Sequence, residues 1–596
     1  MDAPNKYLDG VPSFKIFSDG TEIGSRFGLI SFFVRKEVNR IGKAMLIFKA
    51  GEISDSQIQE SDDNTFAPGK NIAIHAGYGN DTIPIFEGIV IAHELKIQSK
   101  NDCTLKIDCR DCAYQTTQVR RDEIFQNKKD SEVISEILQK YRHLSTSVDS
   151  TTIKHQTLFQ KGCSDWDFIL SRAQANGLFI FSDGNNIAIK KPDLNGKPVL
   201  TVTYGQDIIE FEGKLSVSGQ IDKIKVQAWD AKEQKMKVME SQDPQLNEQG
   251  NTNISELAAV SDAKNEIVST IGYTDEAELQ AMADSRVLRN GLSRIRGLCK
   301  FYGNAEAIPG KLLKLEGLGE RFCGNAYIGA VEHEFDEKGW VTSVEMGVNP
   351  EDITIQADLS VPPAAGLLPA IHGLHIAKVS QIDKDPEGEY KVMVTIPSLT
   401  GSSCNTIWAR LASSRASNSY GTFFIPDVDD EVVLGFFNND PRFPVVIGCL
   451  YSSKQNPPYE IEAENKISAF VSKSQMKIEF EEEKKIITIS TPGNNKIILD
   501  DDVKGITIED QNKNKIVMDD NGILIDSAKG ITIKSKADIE ADSSANINLK
   551  AKSNVAAQGQ NVDMKANVAL TAKGTAKVEV SASGQTILKG AMVMIN

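Results

Sequence analysis

The sequence predicts a mainly β protein in three parts: two small β-barrels with inserted helices, a second compact β unit, and a C-terminal rod of short strands. Strand-like apolar segments alternate with turn residues through residues 11–348, and helical periodicity interrupts them three times. Proline-rich stretches near residues 362 and 457 separate the parts. In the last part, apolar positions recur every eight residues, which is typical of stacked strands of fixed length.

The first part, residues 1–359, is predicted to hold the barrels and the helices. Its strand-like segments lie between turn residues and include residues 14–17, 44–48, 72–74, 88–91 and 105–107. Three stretches have helical periodicity or helix caps: residues 131–141, 164–177 and 275 to about 289. Ser164 is a good N-cap residue, with Asp167 in the reciprocal position.

Two linkers frame the second part. Residues 360–372 contain Pro362, Pro363 and Pro369, and residues 452–470 contain Pro457 and Pro458. Between them, residues 373–451 have the pattern of a compact all-β unit. Its predicted strands are residues 390–396, 406–411, 431–437 and 445–450.

The third part, residues 471–596, is the most informative. The apolar positions spaced by eight are Ile523, Ile531, Ile539, Ile547 and Val555, and after one step of seven Val562, Leu570 and Val578. Within a unit the pattern is apolar, polar, apolar, as in Ile506, Thr507 and Ile508, which gives a strand with one buried face. Gly505, Gly522 and Gly530 precede three of these strands, where corners are expected.

Such short strands have to stack along an axis. Each offers two inward side chains, and no aromatic residue follows Phe480, so they cannot fill a sandwich core. Eight extended residues span about 26 Å, so a closed layer needs about three segments. These come from one chain that turns or from three intertwined chains. About fifteen layers spaced by ~4.8 Å give a rod on the order of 70 Å. A disordered tail is disfavoured, because disorder does not require apolar residues at a constant interval.

Charge and composition exclude several classes of function. The 596 residues carry a formal net charge of -16, which argues against nucleic acid or anionic membrane as the main partner. No apolar run approaches the roughly 18 residues of a membrane span, and the N-terminus lacks the pattern of a secretory signal. We therefore expect synthesis in the cytoplasm. The eight cysteines are scattered and are predicted to be reduced, mostly in the core.

The sequence predicts no catalytic, cofactor-binding or metal site. Cys109 and Cys112 lack a second ligand pair for zinc. His93 and His333 are each followed by glutamate, as in zinc-protease motifs, but the second histidine is missing. No G-x-S-x-G elbow, P-loop or G-x-G-x-x-G motif after a strand is present.

Three polar groups superficially resemble cation sites. His372 and His375 flank the linker and are expected to face solvent or to have ordinary hydrogen-bond partners. Residues 383–388 follow the first half of a calcium loop but lack its closing glutamate, so a tight turn is predicted. Residues 427–431 are expected to form a solvated turn.

Residues 160–177 resemble a known family. The segments QKGCSDWDFI (residues 160–169) and RAQANG (residues 172–177) are similar to the signature of the VgrG family, the phage-tail-like hub and spike proteins. Other anchors fall in the order expected for a hub domain of this kind. They are Arg120, Arg121, Phe125, Pro309, Gly310, Phe322, Gly324, Tyr327, Ile328, Val331 and His333.

The unit at residues 373–451 resembles the OB-fold of the same family. Its anchors are Lys384 to Pro386, Val392 to Pro397, Trp408 to Arg410, Tyr420 and Gly421, Pro426, Asp430 to Val432, and Asp440 to Gly448. Two features depart from the family pattern. Asp429 stands where glycine usually precedes the Asp-Glu-Val strand, and the octad has glycine before its first strand residue, where the phage version favours Val-x-Gly.

The resemblance implies a threefold assembly. In the family, the hub and OB-fold form a trimer and the tail is a three-chain β-helix. Residues 1–359 are thus expected to be the hub, residues 373–451 an OB-fold collar, and residues 471–596 a triple-stranded intertwined β-helix needle. The apolar residues Met592, Val593, Met594 and Ile595 are expected to dock a PAAR-type tip protein.

The resemblance further implies a non-enzymatic, mechanical function without a cofactor. The chain is expected to be the central spike of a type VI secretion system or an extracellular phage-tail-like particle. It would link a hexameric, Hcp-like tube protein and baseplate proteins to a membrane-piercing tip, touch the target membrane only transiently, and help deliver effectors outward on contraction. The rival is a trimeric tailspike adhesin or glycan depolymerase. A fused effector is disfavoured, because the chain stops as the ladder ends.

Overall fold

The computed structural model describes residues 11–24, 26–51, 58–99, 102–270, 275–356, 363–399 and 405–595. The chain divides into two compact units, Met1–Leu450 and Tyr451–Asn596. Strands are the main regular secondary structure of both units, which confirms the mainly β class. Pro362 and Cys404, which were assigned to a linker and to the set of reduced cysteines, lie outside the described residues.

The first unit holds most of the secondary structure. Its strands up to residue 346 are β1 (Pro12–Ser18), β2 (Thr21–Glu22), β3 (Gly28–Glu37), β4 (Lys43–Lys49), β5 (Asn71–Tyr78), β6 (Asp81–Ser99), β7 (Asp102–Arg110), β8 (Arg120–Lys129), β9 (Ser145–Val148), β10 (Lys154–Ser164), β11 (Phe179–Asp183), β12 (Asn186–Lys190), β13 (Leu200–Thr203), β14 (Ile208–Leu215), β15 (Lys223–Asp230), β16 (Lys235–Glu240), β17 (Asn265–Thr270), β18 (Ile295–Tyr302), β19 (Leu312–Glu316), β20 (Gly324–Asp336) and β21 (Gly339–Met346). The α-helices are α1 (Gln59–Asp62), α2 (Asp130–Gln139), α3 (Asp165–Ala175), α4 (Ile254–Val260), α5 (Glu276–Leu292) and α6 (Ile353–Gln356). Short 3-10 helices span Asn64–Phe66, Cys112–Thr117, Pro363–Gly366 and Phe437–Asn439.

Thirteen strands within residues 12–346, where two small barrels are expected, are connected in one sheet. Its order is β14-β18-β21-β20-β3-β4-β7-β6-β5-β1-β2, with β19 attached to β20 and β13 attached to β19. Strand β20 joins the two parts of this sheet, because its first residues pair with β19 and its later residues pair with β3. Two apolar cores pack on this sheet, one containing Phe48 and Leu105 and the other containing Phe301 and Leu313.

The three predicted helices are present as α2, α3 and α5. The side chain of Ser164 accepts a hydrogen bond from the backbone of Asp167 at 3.1 Å, as the capping pattern predicts. Helices α2 and α3 share an apolar core with β11 and β12. Helix α5 covers one face of the sheet β16-β15-β17 and continues to Leu292, beyond the predicted end near residue 289.

Residues 375–449 close a five-stranded barrel, which fits the predicted OB-like unit. Its members are β22 (His375–Gln381), β23 (Val392–Thr395), β24 (Thr406–Leu411), β27 (Glu431–Phe436) and β28 (Pro444–Cys449). The short strands β25 (Ala416–Ser417) and β26 (Tyr420–Gly421) pair with each other between β24 and β27. Strands β24 and β28 are parallel, and the other barrel pairs are antiparallel.

The second unit contains a seven-stranded meander. Its strands are β29 (Ile467–Val471), β30 (Lys477–Glu481), β31 (Ile486–Ser490), β32 (Lys496–Asp500), β33 (Gly505–Glu509), β34 (Lys515–Asp519) and β35 (Gly522–Asp526). Each strand pairs antiparallel with the next, so the segments stack along an axis as predicted. The chain reverses at every turn, however, and intertwining does not apply to residues 467–526. Turn residues in the left-handed region, including Asn494 at φ 65° and Lys513 at φ 71°, produce the reversals.

Residues 527–595 behave differently from the meander. They contain no strand paired within the chain, and the side chains from residue 528 onward are exposed. The octad positions Ile531, Ile539 and Ile547 are each more than half exposed. For this stretch the intertwined β-helix remains a prediction.

Candidate functional site: the apolar face of the C-terminal sheet

The two faces of the meander differ in polarity. The register brings alternate positions of every strand to one face, where they form two rows that cross all seven strands. One row is Phe470, Ile478, Ile489, Ile497, Ile508, Ile516 and Ile525, and the other is Ser468, Phe480, Ile487, Leu499, Ile506, Met518 and Ile523. With the exception of Ser468, every member is a large apolar residue. These two rows are called the apolar face below.

The opposite face is mixed and largely polar. Its central row is Ala469, Glu479, Thr488, Ile498, Thr507, Val517 and Leu524. Lysines and carboxylates occupy most of the flanking positions, such as Lys496 opposite Glu509 and Lys515 opposite Asp526. A sheet with this polarity has one face for solvent and one face to be covered.

The apolar face is not covered by its own chain. No described residue between 451 and 595 is buried, and Ile478, Ile497 and Ile508 are each 39% exposed. Burial of apolar surface is worth roughly 25 cal/mol per Å², and a contiguous apolar face of this kind marks an interaction site in a soluble protein. The face is therefore a surface built for association.

The sequence pattern revealed the apolar positions but not the hairpins that align them. The signals for reversal are clusters of turn-forming residues between the strands. They include Gly493, Asn494 and Asn495, then Asn512, Lys513 and Asn514, then Asp520, Asn521 and Gly522. The eight-residue spacing of apolar positions belongs mainly to the residues after β35, where no hairpin forms.

The last residues keep their apolar side chains exposed. The exposed fractions are 78% for Met592, 55% for Val593, 82% for Met594 and 87% for Ile595. Four consecutive exposed apolar side chains at the end of a polar stretch are a second candidate surface. Among the described residues the structure gives this segment no strand partner, and its docking role stays a prediction.

The VgrG-like signature in the first unit builds a buried polar network. Asp130, at the start of α2, accepts hydrogen bonds from Arg172 Nε at 2.6 Å and Asn176 Nδ2 at 2.8 Å, and its other partner is His155 Nε2 at 2.9 Å. Arg172 Nη2 also lies 3.8 Å from Glu278 of α5. The signature residues Arg172 and Asn176 thus join α2, α3 and α5.

Burial and the neighbouring charge shift the pKa of Asp130 in opposite directions. Burial alone would raise the pKa of this carboxyl, but the guanidinium of Arg172, with Asn176 and His155, lowers the pKa below its usual value. Asp130 is completely buried and stays ionised in this setting. The site is a structural ion cluster, because each of its charged members faces a partner.

A second signature carboxylate holds the start of α3. Asp165 accepts hydrogen bonds from Gln160 Nε2 at 2.7 Å, Tyr141 OH at 2.8 Å and Arg121 Nε at 3.2 Å. Burial and the neighbouring carboxylate raise the pKa of Tyr141 to about 12. A carboxylate in the first turn also interacts favourably with the helix dipole. The signature residue Asp165 thus fixes the position of the start of α3.

Two buried titratable groups in the first unit have opposite pKa shifts. Burial, with a smaller contribution from the charge of Lys36, lowers the pKa of His333 to about 3, and its Nδ1 lies 3.0 Å from Thr342 Oγ1. Burial raises the pKa of Asp111 to about 7, although the backbone N–H of Ala113 donates to its carboxylate. Both side chains are buried and hydrogen-bonded within the first unit.

These shifts predict pH effects of opposite sign. The native pKa of His333 lies below the unfolded value near 6.5, so its contribution to stability is lost as the pH falls below about 6.5. The native pKa of Asp111 lies above the unfolded value near 3.9, so its contribution is lost as the pH rises from about 4 to 7. Between about pH 4 and pH 6.5, therefore, the effects of His333 and Asp111 on the free energy of unfolding oppose each other.

We expect single substitutions to separate the two pH dependences of the free energy of unfolding. In His333→Gln the free energy of unfolding should rise as the pH falls from about 7 to 4, and in Asp111→Asn it should fall below about pH 6.5, by up to about 1.4 kcal/mol per pH unit. All four tryptophans lie in the first unit, so urea unfolding followed by tryptophan fluorescence reports this unit alone. Parallel pH profiles for the two variants would contradict the assignment.

The other sequence candidates are structural. Burial raises the pKa of Cys109 to about 12 and that of Cys112 to about 11, so both are inert core thiols. Cys449, in contrast, is exposed, although it was expected in the core. His93 lies 3.0 Å from Ser61 Oγ and 3.1 Å from the carbonyl oxygen of Phe66, which accounts for both ring nitrogens.

The three acidic or histidine groups form turns. The Nε2 of His375 lies 3.1 Å from the carbonyl oxygen of His372. Asp385 accepts hydrogen bonds from the backbone N–H groups of Glu387, Glu389 and Lys391, as expected for a tight turn. Asp429 has φ 79°, which explains why the family pattern favours glycine at this position. Within the described ranges, no three His, Cys, Asp or Glu side chains converge as metal ligands.

No helix in the described part of the chain combines the length and the apolar composition needed to span a membrane.

Family models match three successive regions of the chain. The model described as the Alg8 N-terminal domain matches residues 9–337. The model of the type VI secretion system/phage-baseplate injector OB domain matches residues 375–451, which contain the five-stranded barrel. The model of the phage baseplate V C-terminal trimerisation domain matches residues 486–556, which begin at β31.

Curated relatives match shorter segments. The type VI secretion system spike protein VgrG5 of Pseudomonas aeruginosa is 35% identical over 119 residues, which is 19% of this chain and 15% of that relative. VgrG4b of the same organism is 40% identical over 74 residues, which is 12% of this chain and 9% of that relative. The matches therefore span less than a sixth of the length of these relatives.

Among solved structures, the 43 kDa tail protein of prophage MuSo2 from Shewanella oneidensis is similar with a TM-score of 0.44 and 12% identity, over 57% of this chain and 99% of that chain. The signature residues around Asp165 lie within the region that the Alg8 N-terminal model matches, and the barrel lies within the region that the injector OB model matches. Over residues 9–337, more than half of its length, the chain belongs to the family of the Alg8 N-terminal domain, and its later regions match the injector OB and baseplate trimerisation domains.

Proposed function

We propose that this protein is the central spike of a contractile injection apparatus and that three copies associate through the apolar face of the C-terminal sheet. The proposal depends on one observation: two apolar rows cross seven strands, and their own chain leaves them uncovered. Three such sheets arranged about one axis form a three-sided prism that buries the rows. Six strand spacings of ~4.8 Å make each wall about 29 Å long.

The prism accounts for a mechanical role. Each wall is continuously hydrogen-bonded along the axis, and the three walls share one apolar interior, so the rod resists bending and compression. The match of residues 486–556 to a trimerisation domain supports three copies in preference to two. Residues 527–595 have octad spacing without pairing in their own chain, which favours pairing between chains in that stretch.

The assembly is tested by the mass of the full-length protein in solution. We expect light scattering coupled to size exclusion to give three times the 65.2 kDa of one chain. A stable monomer across micromolar concentrations would overturn the proposal. A stable dimer would be compatible with association through the apolar face but would refute the assembly of three copies.

The partners in this proposal follow from the family. Residues 1–359 form the hub that meets an Hcp-like tube protein and baseplate proteins, residues 373–451 form the collar, and residues 471–596 form the needle that carries a PAAR-type tip. The protein acts without catalysis or a cofactor, reaches the target membrane only transiently, and travels outward with effectors on contraction.

The exposed C-terminal residues give a direct test of tip docking. We expect Val593→Asp with Ile595→Asp to weaken binding of a PAAR-type protein by at least a hundredfold, because two apolar side chains per copy become charged at the interface. Isothermal titration calorimetry of the full-length trimer measures the change. Lys589→Asp is a control of similar charge change outside the apolar run, and its binding should stay within a few-fold of the wild type.

Retention of tight binding by the Val593→Asp, Ile595→Asp variant would remove these residues from the docking site. Deletion of residues 522–596 provides a coarser check, since it should abolish tip binding without unfolding the first unit. The rival function, a glycan-binding or glycan-cleaving tailspike, predicts binding or degradation of surface polysaccharides by the isolated protein. We expect neither in a polysaccharide array and a reducing-sugar assay.

A further inference from the structure

We infer that the two long edges of the C-terminal sheet carry complementary charges. The edges thereby orient all copies in the same direction along the axis, so that the acidic edge of one copy meets the basic edge of the next. The inference deepens the proposed function and rests on the proposed association of three copies. It concerns a different surface from the apolar face: the turns at the two ends of the strands. Strands of five residues place these edges about 17 Å apart.

One edge is acidic. It contains the turns that join β30 to β31, β32 to β33 and β34 to β35, together with Lys466 beside the start of β29. Its carboxylates are Glu481, Glu482, Glu483, Asp500, Asp501, Asp502, Asp519 and Asp520, and its ammonium groups are those of Lys466, Lys484, Lys485 and Lys504. Eight negative and four positive charges give a net charge of -4.

The other edge is basic. It contains the turns that join β29 to β30, β31 to β32 and β33 to β34, and the end of β35. Its ammonium groups are those of Lys473, Lys477, Lys496, Lys513 and Lys515, and its carboxylates are Glu509, Asp510 and Asp526. Five positive and three negative charges give a net charge of +2.

Symmetry converts this asymmetry into a choice of partner orientation. When copies rotate about the stacking axis, the acidic edge of each wall lies beside the basic edge of the next. When two sheets pack antiparallel, like edges meet and their charges repel. The apolar face alone allows both arrangements, because it has two similar rows. The edges therefore select the parallel arrangement, which a spike with one tip requires.

The heights of the turns are compatible with this pairing. The turns of the acidic edge follow even-numbered strands of the meander, and those of the basic edge follow odd-numbered strands. The turn that joins β33 to β34 carries two lysines and two carboxylates and is neutral, so the positive charge of the basic edge comes from its first two turns. In copies at equal height, the first two turns of the acidic edge of one wall each lie between two turns of the basic edge of the next, with an offset of one strand, about 4.8 Å. The third lies between the last turn of the basic edge and the end of β35. Long Lys and Glu side chains span such an offset.

The test exchanges the charges of the two edges in the full-length protein. The first variant, Glu481→Lys with Asp501→Lys and Asp502→Lys, changes the acidic edge from -4 to +2. The second, Lys496→Glu with Lys513→Glu and Lys515→Glu, changes the basic edge from +2 to -4. Asp500 and Asp519 remain, because their carboxylates accept backbone hydrogen bonds within the turns.

We expect each single-edge variant to form trimer at least about tenfold less readily than the wild type near physiological salt, with a smaller difference in roughly 1 M salt. The combined variant, in which both edges are exchanged, should recover trimer formation. This recovery distinguishes electrostatic pairing from damage to the fold. Unchanged trimer formation in both single-edge variants, or failure of the combined variant to recover, would overturn the inference.

Coexpression gives a second, independent readout. Differently tagged wild-type and combined-variant chains should sort into separate trimers, because like edges meet in every mixed contact between them. Random mixing at equal expression would give about three quarters mixed trimers, and that outcome would contradict the inference. Trimeric wild type with random mixing leaves the proposed function intact and refutes only the edge pairing, whereas a monomeric wild type refutes the proposed function itself.

Discussion

Ile497→Asp is expected to abolish trimer formation. Ile497 lies in β32, in the middle of the apolar face, with Ile489 and Ile508 as its cross-strand neighbours. In the proposed prism three copies bring this position to a common interior. Each copy then loses about 2 kcal/mol of apolar burial, and three carboxylates are desolvated near one another at a further cost of several kcal/mol. Light scattering at micromolar concentration should show monomer.

The adjacent residue provides a matched control. Ile498 is in the same strand, has the same side chain and faces the opposite side of the sheet, between Thr488 and Thr507. We expect Ile498→Asp to remain trimeric, with a change in stability of about 1 kcal/mol or less. If both variants dissociate, the strand itself is sensitive to aspartate; if neither does, the apolar face is not the interface.

Asp130→Ala is expected to destabilise the first unit by about 3–5 kcal/mol. The substitution leaves the guanidinium of Arg172 and the side chains of His155 and Asn176 without their shared acceptor in a buried site. Guanidinium chloride unfolding followed by tryptophan fluorescence measures the loss. Because the pKa of Asp130 is lowered in the folded state, the wild-type contribution should be full above about pH 4 and disappear as the pH falls further.

Glu136→Ala is the matched control for this prediction. Glu136 lies in the same helix and pairs with Lys128, but both side chains are more than a third exposed. A surface pair of this kind contributes about 0–1 kcal/mol. A loss for Asp130→Ala as small as that of the control would mean that solvent reaches the cluster and replaces the lost acceptor.

Local sequence signals predicted the elements that local physics specifies. The cap formed by Ser164 and Asp167, the apolar stripe of α2 and the strands of the small barrel appear close to their predicted positions. Asp385 illustrates the same point at a turn, because a short side chain that bonds to its own backbone needs no distant partner. Helix α4 was not predicted, since its seven residues are too short for a clear periodicity.

Long-range pairing was not accessible from the same signals. Nothing local distinguishes β20 as a strand shared by both halves of the large sheet, because pairing with β3 joins residues about 300 positions apart. The role of Arg172 was hidden for the same reason. Its signature spacing marked it as unusual, but its partners Asp130 and Glu278 come from different helices.

The sequence by itself determined that this protein is mainly β, that its C-terminal strands are short, and that each strand has one apolar side. These properties follow from alternation, turn chemistry and composition, which act within a few residues. Only the tertiary structure decided that residues 467–526 double back into one wall, that the apolar positions align into two uncovered rows, and that acidic and basic turns lie on opposite edges. All three properties depend on the register between neighbouring strands, and that register is set by the hairpin turns that connect them.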